Sequence, residues 1–378
     1  MKLLYIAPVD IDMNGPDGVA KKILAHVKTF SEHFETFLLF RHGENIKLLD
    51  CFSQKCEVYG KGKNRNGVLK TALSVMTALE FDCFYIRYPE SDPLFIKLLK
   101  AIKKQGSCVI TEIPTYPYDE EGKGSFKGRL IKAVDRFYRK KIGKYVDRIV
   151  TYSGDDTIFG IKTIKTINGF DFEKVTISSF TPNADKIHFC GVATIHPIHG
   201  FDRLIRGMAN YYENGGTREL FFDVVGDGDD KVLESYRQLT KALKMEDHVI
   251  FHGRLSGDRL DAIYDLATIC VNSLAIHRQK LVRESTLKTR EYAAKGLPII
   301  SSSFVDALDS EDNKRYVFLI PPDESDVDVA AVLRFCDNLF AEGKIKEVKE
   351  TIRKKAKSVC DMPITLAPVI SFYKNYCH

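Results

Sequence analysis

His277–Ile300 reads HRQKLVRESTLKTREYAAKGLPII, and the order of its parts decides the fold class. Ser285 and Thr286 are residue types that open helices, because a side-chain oxygen can pair an amide that the first turn leaves bare. Leu287–Lys295 then holds mostly good helix formers and no breaker. Gly296 suits the left-handed stop of a helix, and Pro298–Ser301 is a short apolar run that reads as a buried strand. A helix, a two-residue stop and a buried strand make half of a crossover unit, the element from which parallel sheets are built.

Working outward, the same alternation fills the chain. In the second half, strands are expected at His188–Val192, Phe221–Val225, Val249–Phe251, Ile269–Asn272, Pro298–Ser301 and Val317–Ile320. Helices are expected there at Phe201–Tyr212, Lys231–Leu243, Arg259–Leu266, Leu287–Lys295 and Val327–Ala341. In the first half, strands read at Lys2–Ala7, Thr36–Phe40, Cys83–Ile86, Cys108–Glu112, Arg148–Tyr152 and Thr163–Ile167, with helices at Val19–Phe30, Val68–Leu79, Leu94–Lys104 and Lys127–Lys144. The sequence therefore predicts an α/β chain of two Rossmann-like, doubly wound domains facing a central cleft. A domain over 1–175, a second over 183–362 and a short helix over 363–378 packed back on the first domain follow, with a linker at 171–187 where periodicity fades.

Bulk properties agree. The 378 residues suit two domains, and 44% hydrophobic with 28% charged residues is ordinary for a globular protein. Net charge is +5, but residues 1–178 carry 29 Lys and Arg against 22 Asp and Glu, a surplus of seven, while the remainder carries a deficit of two. That asymmetry points to an anionic surface or substrate near the first half. Nine cysteines without metal-ligand spacing, several inside apolar strands as at Cys83, Cys108 and Cys270, read as small buried hydrophobes in a reducing compartment. MKLLYIAPVD is not a signal peptide, and no run approaches the ~20 apolar residues of a membrane span, so a cytoplasmic protein is expected.

Several segments can carry chemistry. Gly15-Pro16-Asp17-Gly18 follows the first strand and precedes a helix, where backbone can approach an anion; it lacks the spacing of a dinucleotide fingerprint. Glu112 ends a buried strand, where a carboxylate can act as a base or bind acceptor hydroxyls, and Tyr116 and Tyr118 offer flat surfaces for a sugar. A solvated loop with packed tyrosines is the plain alternative. Gly226 and Gly228 in VVGDGDD permit a tight turn near a ligand, and FHGR repeats that logic one strand on. Lys123–Arg148 holds ten Lys and Arg against two Asp, with Leu130, Ile131, Val134, Phe137, Tyr138 and Ile142 as an apolar stripe. It reads either as a basic helix for an anionic membrane or as a charged face over a core stripe. In His277–Ile300, Lys288 and Glu291 lie three apart and share a helix face. The helix start and Lys288 suit a diphosphate, and Glu291 suits a ribose diol.

These residues resemble glycosyltransferase family 4, retaining enzymes of the GT-B fold. The likeness is densest at Ser285–Ile300 and extends to FCGVATIHPIHGFDRLIRGM (Phe189–Met208), VVGDGDD, FHGRL and Asn168-Gly169; EIPTYPYD looks like a bacterial subgroup of surface-polysaccharide synthesis. The resemblance implies transfer of a sugar from a UDP- or GDP-linked donor to a saccharide or lipid-linked acceptor, with no cofactor and no metal. It implies that Glu291 binds the donor ribose, that Gly18, Ser285, Thr286, Leu287 and Lys288 face the diphosphate, and that Arg254 and Leu255 lie near the base. The chain departs from the family where an Arg and a Lys usually neutralise the leaving phosphates: the matching positions are Ala193 and His199, the latter placed toward the acceptor. A family carboxylate near the donor sugar is replaced by Arg283, with Glu284 beside it. Lys288, with Arg283 and Arg278, is expected to supply the missing positive charge, so Lys288, Glu112 and Arg283 are the expected catalytic set.

Asp10-Ile-Asp12 and Asp227-Gly-Asp229 have the spacing of metal-binding pairs but fall on glycine-rich turns, so no metal is expected. A catalytically silent partner subunit and a nucleotide-sugar epimerase remain as alternatives. A nucleic-acid binder is disfavoured, because the basic residues form one helix patch.

Overall fold

The computed structural model describes residues 1–15, 18–119, 126–179, 181, 185–280, 285–308, 314–341 and 344–376. Two compact units divide the chain: 1–169 with 362–378, and 170–361.

The first unit contains β1 (Lys2–Asp10), α1 (Gly18–Ser31), β2 (Glu35–His42), β3 (Asn45–Asp50), β4 (Cys56–Lys61), α2 (Arg65–Ala78), β5 (Cys83–Arg87), α3 (Pro93–Lys104), β6 (Cys108–Ile113), α4 (Phe126–Tyr138), β7 (Arg148–Thr151), β8 (Thr157–Ile158) and β9 (Ile161–Lys165). Its sheet runs β4-β3-β2-β1-β5-β6-β7-β9-β8. The centre is parallel, and the antiparallel pairs lie at the two edges. Residues alternate between two buried faces, as a sheet covered by helices on both sides demands: Leu4, Ile6, Phe84 and Ile86 face one core, Leu3, Tyr5, Cys83 and Tyr85 the other.

The second unit contains β10 (Lys186–Val192), α5 (Phe201–Glu213), β11 (Glu219–Val225), α6 (Asp230–Ala242), β12 (Val249–Gly253), α7 (Asp258–Tyr264), β13 (Ile269–Val271), α8 (Leu287–Ala294), β14 (Ile299–Ser301), β15 (Val317–Leu319), α9 (Val329–Leu339) and α10 (Ile345–Cys360). Its sheet, β12-β11-β10-β13-β14-β15, is parallel throughout. The last helix, α11 (Met362–Tyr376), returns to the first unit, where the Tyr373 hydroxyl donates to the Phe84 carbonyl at 2.8 Å.

In both sheets the strand order reverses once. The chain winds outward from β1 and then restarts at β5 on the other side of β1; β10 and β13 repeat the move. Loops at the carboxyl ends of such a strand pair diverge and leave a crevice, so β1/β5 and β10/β13 are where each unit can hold a ligand.

Three expectations need correction. The expected linker is not a free connection: Arg353 on α10 donates to the carbonyls of Phe172, Val175 and Ala294, so the segment after Phe170 is docked on the second unit. The sequence reading has no place for α10 or for the β3–β4 hairpin. The apolar stripe of the basic segment is a core stripe only at its far end: Ile142 is buried and Tyr138 packs on the core, while α4 buries Lys132 and Asp135 and exposes Phe126, Leu130, Ile131 and Phe137. The cysteines follow expectation, with Cys83, Cys108, Cys190, Cys270, Cys336 and Cys360 all buried. Among the described residues, no helix is long and apolar enough to cross a membrane.

Candidate active site

In the second unit the loop after β10 is laced to both neighbours. On one side Ala193 N donates to Val225 O at 2.9 Å, Ile195 N to Asp227 O at 2.6 Å, and Asp229 N to Ile195 O at 2.9 Å. This contact explains the two glycines. Gly226 and Gly228 sit at φ +132° and +153°, and a Cβ would meet the carbonyl oxygen of Ala193 at 1.8 Å or of Ile195 at 2.3 Å. The close partner of both is thus the neighbouring loop. On the other side, Leu274 N and Ala275 N donate to His199 O and Ile198 O. The 193–200 segment is held by these backbone bonds, and by Arg278, which donates to Pro197 O at 3.1 Å, beside the switch point.

Side chains then converge on this edge. His199 is 9% exposed, and its Nδ1 lies 2.9 Å from His196 N and 3.2 Å from His196 O. Burial, with the charge of Lys288 second, lowers its pKa to about 2, so it is neutral. Lys288, the second residue of α8, donates to Ser273 Oγ at 3.2 Å just beyond β13. The Thr286 side chain makes no cap hydrogen bond at the start of α8. Glu291, one turn on, is half-buried; burial first, and then the charge of Glu291, raises the pKa of the neighbouring Tyr264 hydroxyl.

Two fully buried side chains, neither singled out in the sequence, hold α8 in place. Tyr292 accepts from Val192 N at 2.9 Å and donates to Val271 O at 3.2 Å, pinning the helix to β10 and β13. Arg290 donates to Thr286 O at 2.9 Å, Ser285 Oγ at 2.9 Å and Asp306 Oδ2 at 2.6 Å. Ser285 also donates to Asp306 at 2.7 Å. Ser285 and Thr286 are therefore fixed from below by an arginine that helix periodicity alone places only as one more residue of the helix.

The remaining expected donor residues fall differently. Arg278 is spent on carboxylates: it grips Asp202 at 2.9 and 2.8 Å and Glu324 at 2.9 and 2.5 Å, and those bonds hold its pKa well above the usual arginine range. It is a clamp joining α5 to the loop before α9, not a spare cation. Arg254 is exposed and Leu255 half-buried after β12, one backbone bond from Gly226, whose amide donates to Gly253 O at 2.8 Å. Arg283 and Glu284 lie outside the described residues. Of the paired aspartates, Asp229 caps α6 through the amides of Lys231 and Val232, and Asp10 accepts from Gly43 N and pairs with Arg41. Among the described residues, no cluster of three or more His, Cys, Asp or Glu can hold a metal ion.

In the first unit Glu112 closes β6, with no exposed surface. Its Oε1 accepts from Lys22 Nζ at 2.9 Å and Tyr152 OH at 2.5 Å; its Oε2 accepts from Tyr5 OH at 3.3 Å and Arg87 Nη1 at 3.4 Å. Burial alone would raise its pKa, but Lys22 and Arg87 outweigh it and hold the carboxyl well below the usual range. A carboxylate so committed is an electrostatic anchor rather than the open base expected at Glu112. Lys22, on α1, also donates to Asn168 Oδ1 at 2.7 Å. Gly18 is the exposed first residue of the same helix.

Tyr116 and Tyr118 pack with Tyr88 and Phe159 edge to face. Tyr118 is 5% exposed, and its hydroxyl donates to the buried Asp135 at 2.7 Å, so its ring is a packed surface and not a free sugar platform. At the β1/β5 switch point lies a cavity of about 310 Å³ walled by Val9, Arg87, Tyr88, Ile113, Tyr118 and Lys132, among others.

With this geometry in hand, the comparisons are specific. Residues 184–338, most of the second unit, match the family described as glycosyl transferases group 1. No curated protein is similar enough to count as a match. A glycosyltransferase from Rickettsia africae superposes with a TM-score of 0.67 at 13% identity, covering 100% of this chain and 98% of that one. Anabaena HepE in complex with UDP gives 0.62 at 13% identity, covering 99% of this chain and 100% of that one. Sucrose-phosphate synthase from Thermosynechococcus elongatus gives 0.62 at 13% identity, covering 99% and 98%. At such identities the likeness is one of fold. The chain has the GT-B architecture, with two parallel-sheet domains.

Proposed function

We propose that this protein is a glycosyltransferase that moves a sugar from a UDP- or GDP-linked donor to a saccharide or lipid-linked acceptor in glycan biosynthesis, with retention and without a metal. The observation that carries the reading is the start of α8, where the helix N-terminus, Lys288 and Glu291 meet the β10/β13 switch point. The match of 184–338 to group 1 glycosyl transferases supports it, as do structures of the same fold that hold UDP or UDP-glucose.

The chemistry follows from charge. As the bond to the sugar breaks, the diphosphate gains negative charge, and oriented amides with one ammonium stabilise it best in a site that needs no rearrangement. Lys288, steadied by Ser273, supplies the ammonium. His199, held neutral by burial, leaves the charge to Lys288. Glu291 accepts from the ribose hydroxyls, at about 1.5–3 kcal/mol for each charge-assisted bond. Loss of Lys288 is therefore expected to lower turnover more than donor affinity.

A silent partner subunit is the second reading, favoured by one finding: Arg278, expected to help supply the positive charge, is consumed by Asp202 and Glu324, and His199 is neutral. A thermal-shift screen of nucleotide sugars, followed by NMR detection of sugar release or transfer from the donor that binds, separates the two. Turnover that falls in Lys288→Ala supports the enzyme. Tight donor binding with no hydrolysis or transfer supports the silent subunit.

The exposed apolar face of α4 supports a peripheral contact with an anionic membrane as part of this reading. Phe126, Leu130 and Phe137 fall on one exposed face, flanked by Lys127, Arg129, Arg136, Lys140 and Lys141. Bare rings beside basic residues are the composition of an interfacial helix, with about 1 kcal/mol for each basic residue near the lipid surface.

A further inference from the structure

Resting on the transferase reading, we infer that the first-unit cavity recognises an oxyanion on the acceptor, a carboxylate of an acidic sugar or a phosphate, through Arg87. The cavity of about 310 Å³ opens at the β1/β5 switch point, where the fold leaves room for a ligand.

The wall of this cavity is shaped by charge. Arg65 donates to the carbonyls of Pro89 and Glu90 and pairs with Asp92 at 2.8 Å. Lys132 pairs with Glu90 at 2.7 Å and lies over the Tyr118 ring at 4.4 Å. Between them Glu90 is held at φ +64°, a left-handed conformation that is costly for a residue with a Cβ and persists where surroundings impose it. Two of the three cations on the wall are thus matched one to one.

Arg87 is different. Its side chain is 15% exposed, and among the described residues its one side-chain hydrogen bond is Nη1 to Glu112 Oε2 at 3.4 Å, the longest of the four contacts described for that carboxylate. Glu112 is already matched by Lys22 at 2.9 Å. Counting Arg65, Lys132, Lys22 and Arg87 against Asp92, Glu90 and Glu112, four cations face three carboxylates, and the surplus falls on Arg87. A largely buried guanidinium with most of its N–H fork unspent, lining a cavity, is matched by a planar or tetrahedral oxyanion that takes two bonds at once. The same surplus gives local form to the positive balance of residues 1–178.

Calorimetry with the full chain tests this. D-glucuronate, glycerol 3-phosphate and neutral D-glucose are titrated at low salt with UDP saturating, so that a diphosphate site is filled. Binding of glucuronate, of glycerol phosphate or of both, about tenfold or more tighter than glucose, is expected, and which acid binds names the source. Arg87→Gln is expected to erase that preference. Because Arg87 also touches Glu112, Glu90→Gln is the second variant: it leaves Lys132 uncompensated and should tighten the acid by about threefold. Equal binding of acid and glucose, an acid preference intact in a folded Arg87→Gln, or no tightening in Glu90→Gln overturns the inference. Nucleotide titrations with UDP and GDP are read separately: nucleotide heat without acid heat sinks this inference alone, and acid heat with heat from neither nucleotide sinks the transferase reading while the cavity's specificity stands.

Discussion

At the scale of single residues, the buried pair Lys22–Glu112 governs the first unit. Both side chains are under 10% exposed and lie 2.9 Å apart, so each compensates the desolvation of the other. Removing one partner leaves a buried charge alone, which costs about 3–5 kcal/mol. Lys22→Met is therefore expected to lower stability in urea by that order, and Lys22→Met with Glu112→Gln to recover part of it. Equal stability of wild type and Lys22→Met would show that the pair carries nothing. His26 makes a second case. It lies among Tyr5, Phe30 and Tyr85 with Nδ1 lacking a partner, and burial lowers its pKa to about 3. The unfolded chain binds a proton near pH 6.5 that the folded chain refuses, so the stability is complete above that pH and is lost as pH falls toward 3. Between pH 7 and 5 the loss is on the order of 1–2 kcal/mol, and His26→Phe should not show it in denaturant titrations at the two pH values. The importance of Glu112 is legible in the sequence, since a lone carboxylate in an apolar strand demands a partner. The partners are not legible, because Lys22 and Tyr152 are 90 and 40 positions away and only the fold brings them together.

At the scale of elements, legibility follows burial. Strands buried almost throughout, such as β5, β6 and β13, stand where the sequence places them, because both faces of a parallel sheet must be covered. The strand β4 is exposed or half-exposed at every position and carries no such signal. Helix α10 is a different omission: Ile345, Val348, Ile352, Ala356 and Cys360 recur at helical spacing, but the surrounding lysines and glutamates mask the stripe. In α4 the periodicity was legible and its meaning was not, because the apolar stripe faces outward and the inward face carries Lys132 and Asp135, held by Glu90, Tyr88 and Tyr118. That inversion makes a clean prediction. Phe126→Ser, Leu130→Ser and Phe137→Ser together remove no core contact, so the melting temperature should hold while sedimentation with phosphatidylglycerol vesicles drops. Unchanged co-sedimentation would remove the membrane from the account.

At the scale of the whole molecule, two sheets of different sequence share one winding rule. Each reverses once, and each places its charged side chains at the reversal: Arg87 and its cavity in the first unit, Lys288 and His199 in the second. The sequence shows the alternation that forces this winding, and the motif near Ser285 shows which edge of the second sheet matters. What it leaves unseen is how charge is distributed there, since Arg278 proves to be paired and Arg290 to be the hidden support of the α8 start. The account rests on an anion at that helix start and a ribose on Glu291, and titration calorimetry with UDP and GDP reaches the claim directly. Wild type should bind one of them, and Glu291→Ala and Lys288→Ala, each still folded, should bind it about tenfold or more weakly. Affinity for neither nucleotide, or an affinity that both substitutions leave untouched, would contradict it.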